Sequence, residues 1–174
     1  MRRGRLQAKN KFLKFITMAK KLGASDAKII KAATIRTGAW VKMKCRYGCD
    51  GYNTNNCCPP HTPTHTQTQE VIDCYKIALL VHNKRVSSTT GIIVRLEREI
   101  FLSGYYKALG LGAGPCQLCA ECSIGECKHS YQARPSMEAC GIDVFATARA
   151  NGFPIVVVKN RGCEGNYYGL VMIE

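Results

Sequence analysis

The sequence predicts an α+β fold: a single compact domain over residues 10–174 in which a mixed sheet packs with helices and carries two cysteine-rich metal-binding loops. A flexible basic tail is expected over residues 1–9. Three observations lead there. Segments of helical and of strand periodicity follow one another without a strict βαβ beat, which leaves α+β or a compact α/β sandwich. At 174 residues and 46% hydrophobic content, the chain suits one domain whose core needs no disulfides. Finally, most of the 11 cysteines fall in two runs bounded by Gly, Pro and Asn rather than along apolar faces.

Taken in order, the elements follow from periodicity. From Asn10 to Leu22, Phe12, Phe15, Ile16, Ala19 and Leu22 recur at helical spacing, and Gly23 stands where a helix stop belongs. Ala27 to Ile35 is rich in β-branched residues and predicts a strand, and Trp40 to Lys44 alternates as a strand leading into Cys45. The run from Cys45 to Thr68 has no apolar periodicity, and a loop of that length in a small domain is disordered or functional; its thiols argue for function. Thr68 to Tyr75 reads as a short helix, and Lys76 to Val81 as a buried strand. Ile93, Leu96, Ile100, Phe101 and Ala108 mark an amphipathic helix over Ile92–Leu109, ended by Gly110, Gly112 and Gly114. Ser136 is an N-cap candidate for a helix reaching Ala150, with Met137, Cys140, Val144, Phe145 and Ala148 inward. Phe153–Val158 and Tyr168–Ile173 form a closing pair of strands around a Gly-rich turn at Cys163.

Charge is unevenly placed. Residues 1–46 hold 14 Lys/Arg against the single acid Asp26, while residues 47–174 hold 11 of each sign, so the whole net charge of +13 lies in the first quarter. That asymmetry points to an anionic partner, an acidic protein, nucleic acid or a membrane surface, or else to a basic solvated arm with no dedicated partner. No secretory signal is visible, and no segment approaches the roughly 20 apolar residues of a transmembrane helix. The chain reads as cytoplasmic, where thiols stay reduced and a cysteine pattern points to metal rather than disulfides.

The chemistry concentrates at Cys116, Cys119, Cys122 and Cys127, spaced C-x2-C-x2-C-x4-C after Gly114 and Pro115. Zinc sites are usually built from two C-x2-C knuckles far apart in sequence, whereas three cysteines in succession and a fourth soon after is the ferredoxin manner of holding an iron–sulfur cluster. A second nest, Cys45, Cys49, Cys57 and Cys58, is spaced C-x3-C-x7-C-C. Adjacent side chains in extended backbone diverge, so Cys57 and Cys58 do not serve one cluster together. Cys58 precedes Pro59, as the last ferredoxin cysteine precedes Pro, which selects Cys45, Cys49 and Cys58 as ligands with Cys57 spare. The fourth position at that site stays open among Cys57, His61, His65, another cysteine and an exchangeable small ligand. His129 is placed to donate a hydrogen bond to a cluster sulfur. Cys74 and Cys140 lie in predicted helices and read as core residues, and Cys163 is a weak further ligand candidate. There is no P-loop, no dinucleotide fingerprint after a strand and no H-E-x-x-H, so enzymatic activity is left undecided.

The order C-x3-C, Cys58-Pro59-Pro60, a helix, G-x-C-x2-C-x2-C-x4-C, then Arg134-Pro135-Ser136-Met137-Glu138-Ala139 and Gly141-Ile142-Asp143-Val144 resembles a family of small prokaryotic proteins predicted to bind metal. The likeness runs from about Leu22 to the C-terminus. It implies Cys45, Cys49, Cys58, Cys116, Cys119, Cys122 and Cys127 as metal or cluster ligands and brings no activity with it. The expectation is therefore a protein with one or two [4Fe–4S] clusters, transferring electrons to or from an acidic redox partner docked on the basic region. The alternatives are a zinc-stabilised nucleic-acid-binding module using residues 1–46 with Trp40, Tyr47 and Tyr52, and an enzyme with an open-coordination cluster beside His61 or Glu138.

Overall fold

A computed structural model gives the fold and describes residues 2–160 and 162–174, leaving out the side chains of residues 2–10 and of Ser87. Four strands, β1 (Asp26–Lys31), β2 (Ile77–Asn83), β3 (Leu109–Leu111) and β4 (Tyr167–Met172), make one sheet in the order β1-β2-β4-β3. Every pairing is antiparallel, not mixed as the sequence predicts. β2 lies between β1 and β4 and is covered on both faces: Ala78 and Leu80 enter one core, Leu79 and Val81 the other. Double burial explains why β2 reads as a continuous apolar run and not an alternating one.

One face is covered by α1 (Arg2–Lys21) and α4 (Val86–Leu102), whose Phe12, Phe15, Ile93, Leu96 and Ile100 pack over Leu79, Val81 and Val171. The other face carries α3 (His65–Asp73) and α5 (Val144–Ala150), with Ile72, Met137, Ile142 and Ala148 over Leu80, Leu170 and Met172. α2 (Ala39–Gly48) buries only Val41 and stays at the margin. No described helix is long and apolar enough to cross a membrane.

Gly23, at φ +100°, ends α1 where the sequence places the stop. Residues 2–9, expected as part of a flexible tail, have helical backbone within α1. β1 is shorter than its pattern and passes into a 3₁₀ turn at Ala32–Thr34. Trp40–Lys44 is helical, not extended: no strand pairs with it, its Met and Lys residues favour helix, and Trp40 and Met43 face solvent. α3 starts three residues early because Thr64 and Gln67 form a capping box, Gln67 N–H to Thr64 Oγ1 at 3.2 Å and Thr64 N–H to Gln67 Oε1 at 2.9 Å. Cys74, its C-cap, is exposed and so not a core residue. α4 begins at Val86 and stops at Leu102, and Leu109 belongs to β3 instead.

The helix expected from Ser136 to Ala150 is two pieces. Gly141, at φ +77°, breaks it, and a Cβ there would stand 2.8 Å from that of His65. Ser136 Oγ accepts from Ala139 N–H at 3.1 Å and so caps only a turn, while Asp143 caps α5 through Ala146 N–H at 2.9 Å. Phe153–Val158 finds no strand partner and leaves Val156, Val157 and Val158 exposed, so the closing strand pair is not formed; β4 pairs with β2 and β3.

Candidate metal centre

The sulfurs gather at one end of the sheet, where β2 finishes, β4 starts and β3 runs out through Ala113, Gly114 and Pro115 into the cysteine loop. Cys45 comes from the last turn of α2 and Cys49 caps that helix. Cys58 comes from the turn after it, ordered by Asn55: Asn55 Oδ1 accepts from Cys57 N–H at 2.9 Å, and Cys58 N–H donates to Asn55 C=O at 3.1 Å. A Cβ placed on Gly51 would lie 3.5 Å from both Cys49 Sγ and Cys58 Sγ, so these two sulfurs converge on one point. Cys45 stands near both. Together the three line a cavity of about 260 Å³ with Tyr52, Glu138, Asn166 and Tyr168.

Cys57 turns the other way. Its buried thiol faces Cys116 and Cys127, and with Cys119, Cys122 and His129 these enclose a space of about 20 Å³, room for little more than one water. Adjacency without convergence, expected for Cys57 and Cys58, is what the turn produces, but Cys57 is no spare: it is a fifth thiol of the loop nest. Two polar ties hold the nests together. Asn56 Nδ2 donates to Ser123 C=O at 2.8 Å, and Asn56 Oδ1 accepts from Gly125 N–H at 2.8 Å. At its far end the loop is clamped to α4 by Arg134, whose Nε and Nη2 meet Glu97 Oε2 and Oε1 at 2.6 and 3.1 Å, largely out of solvent. Gly110 lets Glu97 come that close, since a Cβ there would meet Glu97 Oε2 at 2.7 Å.

Burial, and then the other thiols around it, push Cys57 up to about 12. Burial likewise raises Cys45, with Cys49, Glu138 and Cys58 adding to it, and raises Cys58 despite the hydrogen bond from Asn55. Crowded thiols without a cation hold their protons; a bound cation inverts that balance and deprotonates them. Amide donors already point at sulfur: Gly51 N–H at Cys49 Sγ (3.4 Å), Asn55 Nδ2 at Cys58 Sγ (3.3 Å) and Asn56 Nδ2 at Cys122 Sγ (3.5 Å). Such donors favour thiolate over thiol. Glu138, whose side chain solvent reaches, is otherwise surrounded by protein, and that desolvation lifts its carboxyl above the usual carboxylate range.

The remaining candidates separate clearly. His61 Nε2 is 2.8 Å from Asn53 Oδ1 and His65 opens α3; neither lines the three-thiol cavity. Cys140 is core, as predicted, and Cys163 lies exposed in a turn. All 11 cysteines are free thiols. Among the described residues no three of His, Cys, Asp and Glu stand close enough to hold a single metal ion. Several basic residues of the first quarter are committed to the fold: Lys42 Nζ donates to the carbonyls of Thr62 and Pro63, both at 2.9 Å, and Lys28 Nζ to that of Gly152 at 2.6 Å. Sequence reasoning missed the placement of Cys57 and the sulfur contacts of Asn55 and Asn56; the Asn-Asn step before Cys-Cys was the available signal.

Fold and site define a small α+β protein with a field of eight thiols at the end of an antiparallel sheet. The chain belongs to the DUF2284 family, described as "Predicted metal-binding protein", whose model matches residues 28–173. No curated protein and no solved structure matches it.

Proposed function

We propose that the protein is an iron–sulfur electron carrier with two [4Fe–4S] sites, one on Cys116, Cys119, Cys122 and Cys127, the other on Cys45, Cys49 and Cys58. The observation that carries this is the meeting of eight reduced thiols from two distant segments, with amide donors aimed at three of the sulfurs. The donor set is all thiol, which suits iron–sulfur clusters as it suits zinc, and three cysteines in close succession with a fourth soon after favour the cluster. To admit a cluster the five loop sulfurs have to part, and the backbone between Gly112 and Pro135, which contains no helix or strand, is the element able to give.

When bound, such a cluster takes up and releases single electrons. The protein's own part is to hold the sulfurs, to set the potential through N–H···S contacts, and to present the site. Trp40, Met43 and Tyr47 are exposed on α2 beside Cys45 and Cys49, ringed by Lys44 and Arg46. An apolar centre with a basic rim at the edge of the redox site suits an acidic partner protein. Anaerobic purification tests the reading: a brown protein whose visible absorbance bleaches with dithionite is expected, and a colourless one with stoichiometric zinc overturns it.

A further inference from the structure

The two nests differ in more than their count of sulfurs. Five thiols close on about 20 Å³ in the loop nest; three border about 260 Å³ in the other. With Cys57 committed to the loop nest and His61 bound to Asn53, no protein thiol or imidazole lines the three-thiol cavity beyond Cys45, Cys49 and Cys58. A second cavity of about 420 Å³ adjoins it through Cys45, Cys49 and Glu138 and is otherwise mostly apolar, walled by Trp40, Phe145 and Val157. Two mostly apolar cavities that share Cys45, Cys49 and the Glu138 carboxyl, with Ser136 and Asn166 as further polar groups on the sulfur side, have the build of a small-molecule site.

We infer that the Cys45–Cys49–Cys58 centre binds a small organic ligand, a hydroxy acid or related carboxylate with an apolar body, whose oxygen fills the ligand position that no cysteine supplies. The inference rests on the cluster reading above. Iron lacking a protein thiolate is a Lewis acid with affinity for oxygen donors. Glu138 sits where it can hydrogen-bond the hydroxyl of such a ligand, and Lys44 is the cation of the second cavity, whose other carboxylate, Asp143, already accepts from Ala146 N–H at 2.9 Å. The apolar body lies along Trp40, Phe145 and Val157. Binding exchanges a water or hydroxide on iron for the ligand's oxygen and needs no electron.

The test uses the full, cluster-loaded chain under anaerobic conditions, with 2-hydroxyisocaproate as probe. Limited ferricyanide should strip one iron from one cluster per chain of the wild type, giving a [3Fe–4S] signal that ferrous iron reverses. The probe should shift the paramagnetic resonance spectrum of the reduced protein, and Glu138→Ala should weaken that response about tenfold, the loss of one good hydrogen bond, at unaltered iron content. If ferricyanide removes iron only from Cys57→Ser, then Cys57 fills the position and the inference fails. It fails equally if the spectrum ignores the probe. A chain that binds no iron sinks the cluster reading itself, and that is visible before oxidant or probe is added.

Discussion

The two thiol nests are made in opposite ways. The loop nest draws four of its five sulfurs from the twelve residues Cys116–Cys127, which form no helix or strand, and it is fixed from outside by Asn56 and by the Arg134–Glu97 pair. The other nest sets its sulfurs on a helix end, a cap and an Asx-ordered turn. Loop backbone with surplus sulfur suits a site that closes round its contents. Rigid elements short of one sulfur suit a site that leaves a position free. The adjacent pair Cys57–Cys58 joins them, one residue to each.

The comparison breaks most visibly if one nest is removed. Cys116→Ser with Cys122→Ser should cost about half the iron and leave the signal of the other cluster; loss of all iron would mean a single shared site. Next in size is the clamp on the loop. Glu97→Ala leaves Arg134 without its partner in a largely buried position and should cost about 3 kcal/mol. At roughly 2–4 °C per kcal/mol for a chain of this size, thermal melting resolves it easily. A smaller effect sharpens the contrast further. Asn56→Ala removes the hydrogen bonds to Ser123 and Gly125 and should destabilise by about 1–2 kcal/mol in urea unfolding, while shifting the potential of the loop cluster more than that of its neighbour.

A last effect lies outside both nests and serves as their control. Burial holds the Cys140 thiol up to about 12, against an ordinary 9.0, so the native state keeps a proton that the unfolded chain gives up. That stability is complete below about pH 9 and is lost as pH climbs toward 12. Urea midpoints of the wild type should therefore fall more steeply between pH 8 and pH 10.5 than those of Cys140→Ala; parallel curves would show that Cys140 is not held protonated.

Much of this was legible in residue order. β2 announced itself as an apolar run, α1 and α4 by their stripes, and the loop nest by its spacing. What escaped depended on tertiary context. Trp40–Lys44 alternates like a strand, yet no sheet edge receives it, and helix propensity decides. The run from Met137 onward carries a helical pattern across Gly141, whose positive φ breaks it where the backbone passes close to His65. Cys74 sits on a helical pattern but at the cap, where it meets solvent. The division of Cys57 from Cys58 followed from local geometry; the destination of Cys57 did not, because it depends on a loop 59 residues further along the chain, from Cys57 to Cys116.

Iron, sulfide and zinc analysis of anaerobically purified protein, read with its paramagnetic resonance spectrum before and after dithionite, bears most directly on the account. Two unequal nests predict roughly eight irons with matching sulfide per chain and two distinguishable reduced clusters. A colourless protein with stoichiometric zinc, or iron sufficient for one cluster only, would contradict it.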